Sequence, residues 1–284
     1  MFLLIGYLII FAATLGTFAV HGSVVALWVP TEYIAILGLL IGGFVAGNTP
    51  KVLKAGLKSL GVAFKGSKYN RALYVDLLSL LFEILAKVRK EGLMSIENDV
   101  ENPESSPLFT KYASVAADHH LVEFMCDYLR MMVGGNLNAF EIENLMDMEL
   151  ETHHQEAHQA PHAINEIGQA LPAFGIVVCV MGVVNTMGAV GEPPAVLGKM
   201  IAGALVGTFL GILLSYGFVA PLASQIEQKA EESSKIFQVV KVVLLASMNG
   251  YAPQIAVEFG RKVLYSTDRP TFIELEQEIK SRKG

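Results

Sequence analysis

Long apolar stretches dominate the pattern of hydrophobic and polar positions along the chain. Four of them contain no Asp, Glu, Lys or Arg, and they cover residues 2–20, 33–49, 172–190 and 200–222. A helix needs about 20 mostly apolar residues to cross the hydrocarbon core of a bilayer, where nothing else pairs with its backbone amides. The pattern therefore predicts four transmembrane helices that contact membrane lipid and form two hairpins.

The polar parts of the chain also show helical spacing. Apolar residues recur every three or four positions over 72–89, 113–132 and 138–150, and no segment alternates as a strand does. Turn-forming residues at 102–107 and 134–138 separate these predicted helices. We predict an all-α integral membrane protein with a helical cytoplasmic domain inserted between the second and third spans.

Positive charge sets the predicted orientation and the domain boundaries. All 21 Lys and Arg residues except Lys199 lie between the second and third spans or after the fourth. Basic residues mark the cytoplasmic side, so both termini are expected inside. The predicted parts are a membrane hairpin at 1–50, a cytoplasmic domain at 51–170, a second hairpin at 171–222 and a cytoplasmic tail at 223–284.

Composition argues against a soluble enzyme. Only 17% of residues are charged and the mean hydropathy is +0.46, whereas soluble domains carry about 25% charged residues. The net charge of -6 gives no support for nucleic-acid binding. The chain has two cysteines, and it shows no phosphate-binding loop, nucleophile elbow or paired-cysteine motif. We expect neither catalytic activity nor a cofactor.

Small residues recur at four-residue spacing in two spans. They are Gly38, Gly42, Gly43 and Gly47 in the second span and Gly203, Gly207, Gly211 and Ser215 in the fourth. Such stripes let helices approach closely in lipid. The pattern fits packing within one chain or an interface between subunits.

Two prolines interrupt the cytoplasmic ends of the last two spans. Pro172 and Pro221 cannot donate to the carbonyls of Gly168 and Gly217, which predicts a bend or a hydration point at each place. A proline that simply starts a helix is the alternative for Pro172.

The third and fourth spans hold few polar groups and no carboxylate. The polar residues are Cys179, Asn185, Thr186, Thr208, Ser215 and Tyr216. Intramembrane ionisable groups mark ion routes, so a chain that carried ions alone is expected to contain one. Either this chain conducts nothing, or a partner's helix supplies the carboxylate.

Four histidines, His153, His154, His158 and His162, precede the third span. His154 and His158 have the helical spacing of a metal pair, but the glutamate of the zinc-protease signature is missing. Pro161 is expected to disrupt the helix that would present His162 with the others. A solvated helix is preferred to a metal site.

Charges of opposite sign flank a predicted helix break at Gly92. Lys87, Arg89 and Lys90 precede it, and Glu97, Asp99 and Glu101 follow. The segment is either a solvated face or a complementary contact with another protein.

These residues resemble the MotA family, the stator subunits of bacterial flagellar motors, along nearly the whole chain. The resemblance rests on LIGYLII near the start, RKEGLMSIENDVENP at 89–103, PAFGIVVCVMGVV at 172–184 and GTFLGILLSYGFVAPLA at 207–223. It implies a multi-pass protein of the inner membrane that functions in motility and chemotaxis. About five copies would surround a dimer of the partner MotB, whose single membrane helix supplies an ion-binding aspartate.

The resemblance also implies roles for individual residues. Arg89 and Glu97 match the charged pair that contacts the rotor protein FliG, and Lys90 lies beside them. Pro172 and Pro221 match two prolines that couple ion binding to movement.

Two further positions match the ion path of the family. Thr208 matches a polar position that faces the path, and Cys179 stands where sodium-driven relatives carry threonine. A thiol is a poor ligand for a hard cation, which favours H+ over Na+.

Other functions remain as alternatives. An ExbB/TolQ-type energiser also surrounds a one-span partner but usually has three spans. A metalloenzyme that uses His154 and His158 would bind zinc, and a self-contained transporter would conduct without a partner.

Overall fold

The computed structural model describes residues 2–135 and 138–281, and its regular elements are all helical. The α-helices are α1 (Phe2–His21), α2 (Pro30–Gly47), α3 (Pro50–Ala63), α4 (Arg71–Glu91), α5 (Glu97–Glu101), α6 (Pro107–Thr110), α7 (Ala113–Ala116), α8 (His119–Gly134), α9 (Ala139–Met187), α10 (Pro194–Ile212), α11 (Ala220–Met248), α12 (Pro253–Val263) and α13 (Phe272–Ser281). Short 3₁₀ turns cover Val24–Leu27 and Leu93–Ile96, and a π-helical turn covers Leu213–Val219. The prediction of an all-α protein is confirmed.

Four helical segments are long and apolar enough to cross a membrane. They begin at Phe2, Pro30, Ala139 and Pro194. The predicted spans 2–20 and 200–222 lie wholly inside them, whereas the predicted spans 33–49 and 172–190 run two and three residues past the helix ends at Gly47 and Met187. By contact, the chain forms two compact units. The first joins residues up to Gly66 with Glu156–Lys229, and the second joins Ser67–Gln155 with residues from Ala230 onward. The four parts predicted from the sequence divide the chain at the expected membrane boundaries and not by internal contacts, and they stay predictions.

The third span belongs to a longer helix than the sequence suggested. Helix α9 runs for 49 residues, and both Pro161 and Pro172 lie inside it. The prediction that Pro161 disrupts the helix is wrong, as is the alternative in which Pro172 starts one. A proline removes only one backbone hydrogen bond, and packing on either side of it keeps the helix continuous.

The segment predicted as one helix over 113–132 is divided at Asp118. Its buried carboxylate accepts hydrogen bonds from Lys68 Nζ at 2.8 Å and from the Tyr69 hydroxyl at 3.4 Å. These contacts hold the chain in a turn between α7 and α8. The predicted turn at 134–138 begins at Gly135, which has φ +66; Asn136 and Leu137 lie outside the described residues.

Each unit has its own apolar packing. In the second unit α4 is central, and Leu77, Leu78, Leu80 and Leu81 are fully buried in one apolar cluster with residues of α8, α11 and α12. The first unit buries much less. Leu8 of α1 is 70% exposed, and such uncovered apolar surface suits contact with lipid or with other subunits.

Candidate functional site

The third and fourth spans meet along a seam of small residues, here called the glycine seam. On α9 it consists of Gly168, Gly175 and Gly182, and on the facing segment of Ala204, Gly207 and Gly211. A Cβ on Gly175 would lie 2.8 Å from the Gly207 carbonyl oxygen, and one on Gly211 would lie 2.6 Å from the Leu171 carbonyl oxygen. At Gly175, Gly207 and Gly211 the two backbones therefore touch with no side chain between them, whereas Gly168 and Gly182 face the side chains of Val219 and Ala204.

The glycine seam decides between the two interpretations of the fourth-span stripe. Gly207 and Gly211 face α9, so packing within one chain is confirmed for them. In the second span, a Cβ on Gly43 would lie 2.8 Å from Ile167 Cδ1, whereas one on Gly38 or Gly42 would meet nothing within 4 Å. Gly38 and Gly42 leave a flat, open face on the chain.

The predicted ion-path residues Thr208 and Cys179 lie along the glycine seam. Thr208 Oγ1 is half-buried and donates to the Gly175 carbonyl oxygen at 3.5 Å. The backbone nitrogen of Cys179 would lie 3.3 Å from a Cβ on Gly207, and its thiol is free and half-buried. A hydroxyl that donates to the backbone keeps lone pairs with which it can accept a proton donor or bind a cation.

The structure brings the two proline segments together. Gly168, whose carbonyl Pro172 cannot pair, would place a Cβ 2.6 Å from Val219 Cγ1. Val219 ends the π-helical turn that precedes α11, and Pro221 is the second residue of α11. The two irregular backbone segments thus lie side by side. π-turns inside helices occur frequently at functional sites.

Tyr7 is a residue of this region that the sequence analysis missed. Its hydroxyl donates to the Phe218 carbonyl oxygen at 2.7 Å, and the two rings lie 4.9 Å apart. Tyr7 therefore links α1 to the π-helical turn and pairs one of its carbonyls. A hydroxyl within an apolar span needs a partner, and this was the available signal.

Glu32 is a second missed residue. It lies between the first two spans predicted from the sequence, 2–20 and 33–49, whereas the structure places it in the first turn of α2. Its buried Oε2 has no hydrogen-bond partner among the described residues and would lie 3.2 Å from a Cβ on Gly207. It borders a cleft of about 410 Å³ that Asn185 and Lys199 also line. A carboxylate in such a cleft can accept a proton or attract a cation. Its position as the only acid in residues 1–50 was the available signal.

The predicted rotor-contact residues flank the sharp turn at the end of α4. Gly92 has φ +88, a conformation that glycine adopts without strain, and it starts the turn between α4 and α5. Arg89, Lys90 and Glu97 are all exposed. Lys90 lies 3.6 Å from the exposed Glu91. Within the described part of the chain, Arg89 and Glu97 form no ion pair, so both charges are available to another protein.

Inward-facing charges hold this turn in place. Lys87 Nζ lies 2.7 Å from Asp99 Oδ2, and the Ser106 hydroxyl donates to Asp99 Oδ1 at 2.6 Å. Ile96 and Val100 anchor the same segment in the core. The sequence analysis grouped Lys87 and Asp99 with the other charges around Gly92, but the structure pairs these two residues with each other beneath the predicted rotor-contact residues.

The predicted histidine group is not part of the glycine seam or of the charged turn at the end of α4. His153 packs its ring 4.5 Å from that of Phe237, and the exposed His162 lies 3.8 Å from Glu166. The preference for a solvated helix over a metal site stays a prediction.

Comparison with known proteins gives consistent matches along the chain. A profile described as Motility protein A N-terminal matches residues 4–92, and one for the MotA/TolQ/ExbB proton channel family matches residues 116–239. Motility protein A of Escherichia coli K12 is 50% identical over 285 residues, covering 100% of this chain and 97% of the relative. Chemotaxis protein LafT of Vibrio parahaemolyticus is 32% identical, covering 93% of this chain and 92% of its own length.

Solved structures support the fold. The MotAB structure from C. jejuni matches with a TM-score of 0.77 at 20% identity and covers 95% of this chain and 98% of that one. The flagellar MotAB stator complex from Bacillus subtilis matches with a TM-score of 0.76 at 24% identity and covers 94% and 96%. Both matches extend over nearly the whole of each chain.

Proposed function

Because the chain belongs to the motility protein A family, we propose that it is a stator subunit of the bacterial flagellar motor. With a single-span MotB-type partner it forms a channel, and the ion flow through this channel drives torque on the rotor. The observation that carries this proposal is the 50% identity to Motility protein A over the full length of both chains. The glycine seam and the exposed charges at the end of α4 supply the two parts that such a machine needs, a helix pair beside an ion path and a contact surface.

The chain's own chemistry calls for the partner. The segments 172–190 and 200–222 carry no carboxylate, and Glu32 lies in the first turn of α2 rather than in the middle of a span. An ion-binding aspartate on the partner's helix supplies the missing group. We propose about five copies around a partner dimer in the bacterial inner membrane, with both termini in the cytoplasm and with the hairpins 1–50 and 171–222 in lipid.

The proposed coupling runs through the last two spans. Moving one proton through a potential of 100 mV releases about 2.3 kcal/mol. Neutralising the partner's aspartate removes the cost of moving its charge past the apolar wall beside Thr208 and Cys179. Pro172 and Pro221 place deformable backbone next to this path, so each ion event lets the ring step around the partner. Cys179 favours a proton as the driving ion.

The proposed rotor contact is electrostatic. Arg89, Lys90 and Glu97 present both signs of charge on a turn that Asp99 holds in place. Exposed charges steer association and fix the register between partners more than they add affinity. We propose that these three residues engage FliG.

Complementation of a stator-deletion strain tests the function. The chain expressed with its MotB-type partner should restore swimming, and the speed should persist when potassium replaces sodium at fixed pH but vanish with a proton uncoupler. Speed that follows sodium and resists the uncoupler would overturn the choice of ion. Failure to restore swimming with any motor partner would overturn the function.

Charge exchange tests the contact residues. Arg89→Glu should reduce torque without lowering protein levels. A positive charge introduced on FliG, opposite in sign to the new glutamate, should restore part of the torque. Lys262→Glu, an exposed position on α12, is the matched control and should not change torque. Wild-type torque in Arg89→Glu would remove the residue from the contact.

A proline substitution tests the coupling. Pro172→Ala with normal motility and proton flow would remove Pro172 from the coupling mechanism.

An ExbB/TolQ-type energiser is the second candidate, because the profile over 116–239 covers those proteins as well. The match over 4–92 to the motility protein profile and the four spans disfavour it. The complementation assay separates the two functions.

A further inference from the structure

Helix α3 lies beside the ends of the spans that are proposed to face the cytoplasm. It begins only two residues after α2 stops, at Pro50. A Cβ on Gly56 would lie 3.0 Å from the ring of Phe44, which is in the last turn of α2. Ala63 is buried in one cluster with Leu3, in the first turn of α1. Since α1 and α2 are membrane spans, these contacts place α3 at the level where the hydrocarbon core gives way to headgroups.

The two sides of α3 differ in chemistry. Gly56 and Ala63 face the protein and are buried. Lys51, Lys54 and Lys58 share the opposite side, and all three are exposed and form no ion pair in the described part of the chain.

Apolar side chains flank the lysines of α3. Leu57 is 68% exposed, and Val62 is exposed as well. Phe64, the first residue after α3, is also exposed. An exposed side that combines lysines with large apolar side chains, on a helix at the membrane boundary, is typical of interfacial helices.

The end of α3 is also suited to this position. Lys229 Nζ, from α11, donates to the carbonyl oxygens of Val62 at 2.7 Å and Ala63 at 3.0 Å. The last carbonyls of a helix have no partner within the helix, and hydrocarbon supplies none. This cap pairs two of those carbonyls, so the end of α3 can approach the lipid with fewer unpaired backbone groups.

We propose that α3 is a binding surface for anionic phospholipids. Lys51, Lys54 and Lys58 contact their phosphate groups, and Leu57 inserts between the acyl chains. The charge of the three lysines is complementary to anionic headgroups, and the apolar surface is continuous with that of the spans. The inference goes beyond the stator function. A role of these lysines in setting topology alone would not make the lipid beside α3 differ from the bulk lipid.

Bromine-labelled lipids test the proposal in the full chain. Trp28 is the only tryptophan, so a chain with Trp28→Phe and Leu57→Trp reports on position 57 alone. Vesicles of one fixed mixture of phosphatidylglycerol and phosphatidylcholine carry the bromine either on the anionic or on the zwitterionic lipid, at equal mole fraction. Quenching at position 57 should be about two- to fivefold stronger from the anionic lipid, as expected for a few lysines near a charged surface.

Matched variants separate the possible outcomes. Adding Lys51→Gln, Lys54→Gln and Lys58→Gln should bring the quenching ratio close to one, and Lys54→Gln alone should lower it in part if the triple variant fails to insert. Lys262→Gln should not change the ratio, and Ile273→Trp in the Trp28→Phe chain, at an exposed position of α13, should show little quenching. No quenching at position 57 would mean that another protein surface, such as a second copy, covers this face. A ratio that the lysine variants leave unchanged would also overturn the proposal.

Discussion

A Cβ on Gly211 would lie 2.9 Å from the Cα of Gly175, so the third and fourth spans approach backbone to backbone at this pair. Packing replaces hydrophobic collapse as the force that joins helices in lipid, and contact of this kind needs residues without side chains. The two glycines thus set how closely α9 and α10 cross.

Gly211→Ala should therefore destabilise the protein. Its methyl group would meet the Leu171 carbonyl and the Gly175 backbone, which can move only if the helices separate. Overpacking of this kind costs about 1–3 kcal/mol. The unfolding temperature of the purified protein and the swimming speed should both fall.

Gly203→Ala is the control for the same helix and the same stripe. A Cβ there would meet only Val29 Cγ1, at 4.0 Å, so stability and swimming should stay near wild type. Equal losses in the Gly203 and Gly211 variants would show that the close crossing of α9 and α10 is not what the stripe provides.

Tyr7→Phe should remove one interaction while keeping the ring. The Phe218 carbonyl would lose the hydroxyl that donates to it at 2.7 Å, and a polar group left without its hydrogen bond away from water costs about 1–3 kcal/mol. A lower unfolding temperature is expected. Tyr216→Phe, in the same π-helical turn but 67% exposed, is the control and should change little. Identical unfolding temperatures for Tyr7→Phe and wild type would exclude a stabilising role for this bond.

Asp99→Ala and Glu97→Ala should affect different properties although the two residues are close in sequence. The Asp99 variant leaves Lys87 and Ser106 without their shared partner, at a cost of about 1–3 kcal/mol. The exposed Glu97 variant should change stability by no more than about 0.5 kcal/mol but should reduce torque. Thermal unfolding and torque measured on both variants check the distinction. A destabilised Glu97 variant with normal torque would reverse the assignment.

Glu258 should make stability depend on pH. A hydrogen bond from Arg261 lowers the pKa of the Glu258 carboxyl below its ordinary value of 4.5. Such a group stabilises the fold above the pKa of the unfolded chain, and this contribution is lost as pH falls through the lower folded pKa. Glu258→Gln should therefore be less stable than wild type at pH 7, and the difference should shrink in acid. Unfolding temperatures measured across this pH range check it; a constant difference would contradict the mechanism.

Local pattern in the sequence was enough to predict much of the fold. The spans, the helix at 72–89 and the break at Gly92 follow from periodicity and from residues with special backbone preferences. Pro161 was misjudged because the rule for a proline describes an isolated helix. In α9, the packing of the flanking turns outweighs one lost hydrogen bond.

The candidate site was less predictable because its contacts join distant parts of the chain. Tyr7 and Phe218 are 211 positions apart, and no local pattern reports which spans become neighbours. Lys87 and Asp99 resembled members of a surface patch, because a sequence does not show which charges of a cluster turn inward. The seven-residue spacing of Gly168, Gly175 and Gly182 was visible in the sequence, but the sequence does not show which helix packs against these glycines.

The glycine seam has a mechanical consequence. Where two backbones touch directly, there are no side chains to change rotamer and absorb a displacement. We therefore expect the two helices to move together. We expect any bend of the hairpin to occur at the π-helical turn at Leu213–Val219, where the regular helical hydrogen bonding is already interrupted.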